Sequence, residues 1–407
     1  MKQPLRFDSD SLYKVLDIFK KNNANVRIIG GAVRDNLIFQ EYSDIDLATT
    51  LLPKEVTTIF EQDGFTVIPT GIDFGTVTVI VDREEFQITT LRKDIKTDGR
   101  HAIVEYTNDY KVDASRRDFT INALSYDPFS KNLYDYFNGL NDLKNSIVRF
   151  IGAPIERITE DHLRIMRFFR FSAYYASSLN KDGLDACKTY NYLLNKISSE
   201  RINQELSKLL MCKKNISNII LEMENCSLFM IIFKEIVIDP KTLILFEEKI
   251  STIAHIGFDI KTLRFALLIA KNTIQATKKC LKNLRFSNDE IKSNAILHNF
   301  IIEISKHEDK KSIFFEICKN WYYNHNHCKL VLILAYLYDK ISINELETNI
   351  VTIQNKAPKM PIKSAELISK GYTGLSLGIR IKFLEKKWIE SGFSATVDEL
   401  ENAKFYS

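Results

Sequence analysis

The spacing of apolar residues along the chain changes once, near residue 155. Before that point, short β-type runs alternate with helix-type patterns. The predicted helices span 9–23, 32–38 and 53–63, and the predicted strands span 26–29, 44–48, 66–69, 76–81 and 86–91. Beyond residue 155 only helix-type patterns occur. The pattern therefore predicts an α/β domain with a mixed sheet of about five strands, followed by an all-α region.

The regular pattern stops between Arg92 and Asp113, where the chain is polar and carries an Asp-Gly turn signal. A connection of this length is typically functional or disordered. It leads into the run from Ser115 to Leu124, which we interpret as the charged start of another helix. Tyr134 to Gly139 then predicts a small hairpin.

Composition narrows the class of protein. A chain of 407 residues is expected to form about two to four domains. No apolar run approaches the roughly 20 residues of a membrane-spanning helix, and the N-terminus lacks the apolar core of a signal peptide. The six cysteines are scattered, which indicates thiols in a reducing cytoplasm, and His325 and His327 beside Cys328 lack a second pair of zinc ligands. The net charge of +4 is too mild to indicate a nucleic-acid partner by itself.

Two carboxylates, Asp44 and Asp46, stand two residues apart on a predicted strand. Side chains at i and i+2 point to the same face of a strand, so the two carboxylates lie side by side. Magnesium prefers one or two carboxylates together with water and substrate phosphates. A lone D-x-D is more often a solvated turn or strand edge. Here it follows a Gly30-Gly31 turn at the start of a helix, and this rarer combination favours a metal site.

That Gly30-Gly31 turn offers backbone N–H groups and a helix N-terminus, which favour phosphate. Arg34, one turn into the helix, has the bidentate donors that clamp phosphate. Taken alone, a Gly-Gly pair is usually only a turn and Arg34 only a surface arginine. Together with the carboxylate pair, they indicate phosphoryl or nucleotidyl transfer.

Arg116, Arg117 and Asp118 place two cations and a carboxylate in succession. The arginines can neutralise phosphate charge, and the carboxylate can accept a hydrogen bond from a ribose 2′-hydroxyl. A helix cap with flanking ion pairs explains the triplet equally well.

A second informative segment runs from Thr159, a candidate helix cap, to Arg170. Asp161, Arg164 and Arg167 are three residues apart and are expected to share one helix face. Arg164, Arg167 and Arg170 would lie on one side of the helix and would repel one another unless an anion binds between them. Asp and Arg also carry the donors and acceptors that match the edge of a base, so we favour an anion-and-base site over a surface salt bridge.

Four ordered motifs together resemble the class II tRNA nucleotidyltransferases, which comprise the bacterial and eukaryotic CCA-adding enzymes and their poly(A) polymerase relatives. The motifs cover roughly residues 25 to 210: GGAVRD with DID, RRDFTINAL, EDHLR, and ERINQEL. The resemblance implies four regions, namely a catalytic head at 1–148, a neck at 149–210, a body at 211–290 and a tRNA-binding tail at 291–407.

The resemblance also implies a role for each matching residue. Asp44 and Asp46 would bind two Mg²⁺ ions as the catalytic carboxylates. The Gly30-Gly31 turn and the Arg116–Asp118 triplet would hold the phosphates and the ribose of the nucleotide. A protein template on the neck would read the base, and it would accept CTP first and ATP last. The nucleotide-binding residues implied are Gly30, Gly31, Arg34, Arg116, Arg117, Asp118, Asp161, Arg164, Arg167 and Arg170.

CC-adding members of the family have a shortened loop here, whereas the segment after Arg92 is long and its residues Thr97–His101 resemble the intact loop, which argues against a CC-adding enzyme. Ser43-Asp44-Ile45-Asp46 differs from the run common in poly(A) polymerases, so complete CCA addition is favoured over A-only addition and over poly(A) synthesis. Gln87 stands where many members carry glutamate, which predicts slower chemistry or no consequence.

Two other classes are disfavoured. A catalytically inactive RNA-binding protein on this scaffold should have lost a carboxylate or the phosphate arginine. A nucleotidyltransferase that modifies small molecules needs neither the neck template nor the long helical extension. That extension is expected to hold the acceptor arm of tRNA, and no His-Asp pairing in it suggests an added phosphohydrolase. The oligomeric state cannot be inferred.

Overall fold

The computed structural model describes residues 5–42, 44–97 and 102–403. Two compact units share these residues. The first unit extends to Leu206 and includes Asn225–Ile231, and the second contains Ser207–Glu224 and continues from Ile232.

The first unit is built on a mixed sheet of seven strands in the order β3-β4-β5-β2-β1-β8-β9. Only β2 and β5 pair in parallel, and the other neighbours are antiparallel. The strands are β1 Val26–Ile29, β2 Asp46–Thr49, β3 Thr66–Gly71, β4 Thr76–Val81, β5 Glu84–Thr90, β6 Arg92–Thr97, β7 Ala102–Tyr106, β8 Ser125–Asp127 and β9 Asn132–Tyr134. Strands β6 and β7 form a separate two-stranded ribbon.

Alternation along the strands gives the sheet one apolar face and one partly open face. Leu47 and Ile88 point into a core that also buries Ile28 of β1 and Phe19 of the first helix. Asp46 and Gln87 are paired across β2 and β5 and point to the other face. The open face therefore carries the polar side chains.

Helices precede and separate several of the strands, and they dominate the chain after β9. Up to Leu210 they are α1 Asp10–Lys21, α2 Gly31–Phe39, α3 Pro53–Gln62, α4 Tyr110–Ser115, α5 Gly139–Lys144, α6 Pro154–Glu160, α7 Arg164–Tyr175, α8 Lys181–Thr189 and α9 Ser199–Leu210. Beyond it they are α10 Ser217–Asn225, α11 Leu228–Ile232, α12 Pro240–Thr252, α13 Ile260–Ile269, α14 Ile274–Asn283, α15 Asn288–Lys306, α16 Lys310–Tyr323, α17 Cys328–Leu337, α18 Ile343–Thr352, α19 Ser364–Ser369, α20 Gly374–Glu390 and α21 Val397–Glu401.

The prediction of a mixed sheet followed by helices is confirmed, with seven strands in place of about five. The predicted break after Arg92 is wrong, because that segment forms β6, β7 and α4. The hairpin is also displaced from its predicted position at Tyr134–Gly139, since β8 pairs with β9. Residues 98–101 of the predicted loop lie outside the described residues.

The second unit contains a buried ion pair between Arg264 of α13 and Glu247 of α12, at 2.6 Å. Arg264 also donates to the carbonyl oxygens of Leu210, the last residue of α9, and of Cys212 and Lys214, which follow it. These bonds satisfy carbonyls that the end of a helix leaves without partners. All six cysteines are buried, and no helix in the described ranges has both the length and the apolarity to cross a bilayer.

Candidate active site

Asp44 and Asp46 lie at the N-terminal end of β2. Asp46 pairs with Ile29 of β1 on one side and with Gln87 of β5 on the other. Asp44 precedes the strand, which begins two residues later than predicted, and it is exposed. In the described part of the chain, neither carboxylate accepts a side-chain hydrogen bond or forms an ion pair, so both remain available to a ligand.

The environment of Asp46 disfavours its charged form. Burial raises the pKa of this carboxyl, the positive charge of Arg117 lowers it, and the neighbouring Asp44 raises it again. The net direction is upward. A carboxylate that is partly desolvated and lacks a hydrogen-bond donor gains most when a cation arrives.

The Gly30 turn brings a cation close to these carboxylates. Gly30 has a φ of +67°, a conformation that glycine adopts without steric penalty. A Cβ atom at this position would lie 2.9 Å from Nη1 of Arg117, so the glycine also makes room for that guanidinium. Arg117 therefore lies against the turn, and its positive charge also acts on Asp46.

Arg34 is buried behind this turn, with 6% of its surface exposed. Its Nε and Nη2 donate to Asp35 at 2.8 Å, and its Nη1 donates to Asn122. Its guanidinium also stacks on Tyr175 of α7, 4.1 Å from the ring centre. All three of its nitrogens are thus engaged inside the protein, and the predicted phosphate clamp stays a prediction.

Arg116 and Arg117 follow α4 rather than begin a helix, which corrects the sequence interpretation. Both pair with Asp113, three and four residues earlier, at 2.9 and 3.5 Å. Burial raises the pKa of Asp113, but the two arginines outweigh that effect and lower it overall. Asp113 is not among the predicted site residues, although its i, i+3 and i, i+4 spacing to the arginines is a usable signal.

Asp118 is a buried junction between the sheet domain and the neck helix α7. Its Oδ2 accepts from Nε of Arg167 at 2.7 Å, and its Oδ1 accepts from Asn122 at 2.9 Å. Burial alone would raise the pKa of Asp118, yet the charge of Arg167 and these hydrogen bonds lower it. The carboxylate predicted to meet a ribose is therefore already bound to the neck.

The neck segment is two helices and not one, because the chain is extended at Asp161 between α6 and α7. Thr159 lies inside α6 and caps nothing, so the predicted cap is wrong. Asp161 accepts from both the backbone N–H of Leu163 and the guanidinium of Arg201 in α9. The shared helix face predicted for Asp161 and Arg164 is replaced by a corner that brings the two residues to one bend.

Arg164 begins α7 and is held from several sides. It donates to Glu160 at 2.8 Å and to the carbonyl oxygens of Arg157 and Arg116 at 3.1 and 2.9 Å. Arg170 pairs with Glu205 of α9, which also lies 3.7 Å from Arg167. The arginines of the neck are each neutralised by a carboxylate, which corrects the argument that their repulsion requires an anion.

A metal would find two open carboxylates, Asp44 and Asp46, and the amide of Gln87 beside them. Within the described ranges, no group of three or more His, Cys, Asp or Glu side chains could hold an ion. The donor set fits magnesium, which takes few protein carboxylates and completes its shell with water and phosphate oxygens.

Two family models match the chain. The Poly A polymerase head domain matches residues 26–149. A probable RNA and SrmB-binding site of polymerase A matches residues 178–256.

Individual relatives extend over more of the chain. A human protein named CCA tRNA nucleotidyltransferase 1, mitochondrial, is 33% identical over 96% of this chain and 89% of its own length. The CCA-adding enzyme of Staphylococcus epidermidis is 32% identical over 82% of this chain and 79% of its own length. Among solved structures, the Bacillus stearothermophilus CCA-adding enzyme in complex with CTP shares the fold, with a TM-score of 0.74 at 20% identity over 96% of this chain and 94% of that one.

Proposed function

We propose that this chain, which belongs to the family of CCA-adding tRNA nucleotidyltransferases, adds CCA to the 3′ end of tRNA. It takes the nucleotides from CTP and ATP and uses no nucleic-acid template. The observation that carries the proposal is the open carboxylate pair Asp44 and Asp46, set beside Arg117 and the Gly30 turn. The human relative at 33% identity, the Staphylococcus relative and the names they carry support the choice of substrate.

Members of this family use a divalent metal. Here we propose two magnesium ions held by Asp44 and Asp46, with the remaining positions filled by water and triphosphate oxygens. When bound, magnesium lowers the pKa of the attacking 3′-hydroxyl and neutralises charge on the triphosphate. The upward pKa shift of Asp46 means that proton and metal compete for this carboxylate.

The nucleotide's phosphates are assigned to the turn and to the cations after α4. Gly31 presents its backbone N–H at the N-terminus of α2, whereas the N–H of Gly30 already donates to the carbonyl oxygen of Leu124 at 3.0 Å, so Gly30 serves the site through its turn. Arg117 lies against the turn and its charge acts on Asp46, so it could neutralise charge on a bound triphosphate. Arg34 and Arg116 support these positions through Asp35 and Asp113.

The base is assigned to the bend between α6 and α7. Asp161 offers a carboxylate acceptor and Arg164 offers guanidinium donors, a pair that can match the Watson–Crick edge of cytosine or adenine. Arg167 and Arg170 hold the bend through Asp118 and Glu205. Ribose recognition by Asp118 remains part of this proposal.

The product is a complete CCA end in this proposal, since the segment after Arg92 is long and forms the ribbon β6–β7. The loop residues that carried the argument against CC-only addition, 98–101, lie outside the described residues, as does Ser43. We assign tRNA binding to the helical part of the chain, with the head, neck, body and tail divided at 148, 210 and 290. A cytoplasmic location is likewise proposed, although the human relative is named a mitochondrial protein.

The test is to incubate the purified full-length chain with magnesium and a tRNA transcript that lacks its 3′ CCA. CTP alone should extend the tRNA by two residues, and CTP with ATP should extend it by three. ATP alone should leave it unextended. Products are resolved by length on a sequencing gel.

Other outcomes contradict the proposal in identifiable ways. Incorporation of A without prior C would indicate an A-adding enzyme, and a long ladder of A residues would indicate a poly(A) polymerase. A wild-type chain that binds tRNA and extends it with neither nucleotide would indicate an inactive RNA-binding protein.

A further inference from the structure

Tyr175, the last residue of the neck helix α7, contacts the helix that begins at the glycine turn. Its hydroxyl donates to Oδ1 of Asp35 in α2 at 2.9 Å, and the guanidinium of Arg34 lies 4.1 Å from the centre of its ring. Arg34 and Asp35 are themselves joined by two hydrogen bonds of 2.8 Å. Tyr175 therefore holds both members of this ion pair, the acid through its hydroxyl and the base through its ring.

A second attachment of α7 lies two turns earlier, where Nε of Arg167 donates to Asp118 at 2.7 Å. Arg167, Phe171 and Tyr175 follow one another at intervals of four residues, so they lie along one side of the helix. The first and last of them are separated by about 12 Å along the helix axis, at 1.5 Å per residue. The ring of Phe171 between them lies 5.1 Å from the guanidinium carbon of Arg167. This side of α7 is thus attached at both of its ends.

The two attachments are connected to each other through the buried side chain of Asn122. Its Oδ1 accepts from Nη1 of Arg34, and its Nδ2 donates to Asp118 at 2.9 Å. The contacts therefore leave α7 at Tyr175 and return to it at Arg167. A helix that is held at one point can still rotate about its axis or tilt, whereas two connected attachments remove both freedoms.

The start of the same helix carries the proposed base reader. Arg164 is the first residue of α7, and its guanidinium donates to the carbonyl oxygen of Arg116 at 2.9 Å. A rotation of α7 would change the direction of that guanidinium relative to the incoming base. We propose that Tyr175 is a positioning residue for nucleotide selection, which fixes the rotation of α7 and with it the direction of Arg164. The inference rests on the proposed function, since that function makes Arg164 the reader of the base.

The hydroxyl of Tyr175 is the directional part of this contact. Burial raises the pKa of the hydroxyl, the charge of Arg34 lowers it, and Asp35 raises it again, so the group stays protonated and donates at neutral pH. Tyr175→Phe removes the donor and keeps the ring against Arg34. Asp35 retains both bonds from Arg34 in this variant, so no buried charge loses its partner and the protein is expected to fold.

Two further variants complete the set. Tyr175→Leu removes the ring as well as the hydroxyl. Tyr192→Phe is the matched control, because it removes a hydroxyl from a tyrosine that is 55% exposed in the same unit of the chain. All three are compared with the wild type as full-length proteins, at a temperature well below the thermal unfolding of each.

The test measures discrimination between nucleotides in single additions with magnesium. ATP is compared with GTP on a tRNA that ends in CC, and CTP is compared with UTP on a tRNA that lacks CCA. In Tyr175→Phe the ratio of kcat/KM for the correct nucleotide to that for the wrong one should fall about fivefold or more, the effect of one lost hydrogen bond. The fall should come chiefly from a higher KM for the correct nucleotide. It should be larger in Tyr175→Leu and absent in Tyr192→Phe.

A purely structural role of Tyr175 gives a different result. A less stable protein would contain fewer active molecules, so the rates with all four nucleotides would fall equally while KM and the ratio stayed unchanged. That result, or a ratio in Tyr175→Phe within about twofold of the wild type, would overturn the proposal. If Tyr175→Leu does not fold, Tyr175→Phe alone decides.

Calorimetric binding of the same four nucleotides separates this proposal from the proposed function, because binding requires no chemistry. A wild type that prefers CTP and ATP but adds neither to tRNA would contradict CCA addition, and a weaker preference in Tyr175→Phe would still support the positioning role. A wild type without any preference, in binding or in addition, would leave no base reading to position and would overturn the inference.

Discussion

The carboxylates at the start of β2 and the arginines of the neck are both charged clusters, but the protein treats them in opposite ways. The carboxylates of Asp44 and Asp46 receive no side-chain hydrogen bond or ion pair from the described residues, and burial makes the charge of Asp46 costly. Arg164, Arg167 and Arg170 are each paired with a carboxylate. The carboxylate oxygens of the first cluster are thus open to a ligand, whereas the guanidinium groups of the second are already paired within the protein.

This difference separates two kinds of functional residue. An unpaired, partly buried carboxylate gains stability from an arriving cation, so it suits a ligand that must be bound strongly. A paired arginine gains little from a ligand's charge but has a fixed orientation, which suits recognition by geometry. We therefore expect substitutions at the carboxylates to abolish chemistry while leaving the fold intact, and substitutions in the neck pairs to cost stability as well.

The largest effect is expected for Asp46→Asn. Loss of a metal-binding charge should remove several kcal/mol of transition-state stabilisation, or roughly a thousandfold or more in the rate of nucleotide incorporation. Initial rates with labelled CTP at saturating magnesium measure this, and Asp73→Asn, on an exposed carboxylate of the same domain, is the control. A residual rate above about a tenth of wild type would contradict the metal assignment.

The same variant should not lose stability. Because the folded-state pKa of Asp46 is raised, the folded protein holds this proton more tightly than the unfolded chain does. Metal-free wild type is therefore penalised at neutral pH and relieved of the penalty as pH falls through the raised pKa. In thermal melts without metal, Asp46→Asn should match or exceed the wild-type Tm at pH 7, and this advantage should shrink as pH falls.

Asp118→Asn should act on the fold first. Among the residues that the structure describes, it leaves Arg167 with one ion-pair partner, Glu205, at 3.7 Å. Breaking a fully buried pair costs about 3–5 kcal/mol, and roughly 2–4 kcal/mol is expected here because 31% of the Arg167 side chain is exposed. Urea denaturation measures the change. Asp82→Asn breaks the exposed pair with Lys14 as a matched control and should cost less than about 1 kcal/mol, so equal losses in the two variants would refute the contrast.

Adjacent glycines in the turn offer a third comparison. Gly30→Ala places a side chain at a φ of +67° and 2.9 Å from Arg117, which should cost about 1–3 kcal/mol and displace that guanidinium. Gly31→Ala meets Nη2 of Arg34 at an ordinary 3.6 Å and begins a helix, so its stability should be unchanged or raised by roughly 0.5–1 kcal/mol. Thermal melts of both variants decide the matter, and equal tolerance would show that Arg117 does not depend on the turn.

The local periodicity of apolar residues is sufficient to predict most elements of the sheet domain. β1 and β4 occupy the predicted residues 26–29 and 76–81, and α1 and α3 differ from prediction by at most two residues at either end. Each of these elements has a regular apolar stripe against one core, which is information contained in the segment itself.

The errors fall where a distant contact decides the structure. The bend at Asp161 is held by Arg201, forty residues later, and the segment after Arg116 is held by pairing of Phe119 with Phe150. The charge balance of the neck likewise depends on Glu205 and Asp118, whose proximity to the arginines is not visible from spacing along one helix. Sequence identified which residues are charged, and only the fold showed which charges remain open.

Gln87 gives the smallest and most discriminating test of the open site. It faces Asp46 across the parallel pair β2–β5, so a carboxylate there would join the same surface. Gln87→Glu should tighten magnesium binding several-fold and raise incorporation at limiting metal, because a third carboxylate adds attraction for a divalent cation.

Gln87→Met removes the amide oxygen at nearly equal size and should weaken magnesium binding slightly. Rates measured across a magnesium titration separate the two variants, since the effect belongs to the metal midpoint and should vanish at saturation. If Gln87→Glu lowers the rate at saturating metal, the added charge must instead repel the triphosphate. A third carboxylate on this surface would then cost more in triphosphate binding than it gains in magnesium binding, and the neutral Gln87 would serve to avoid that repulsion.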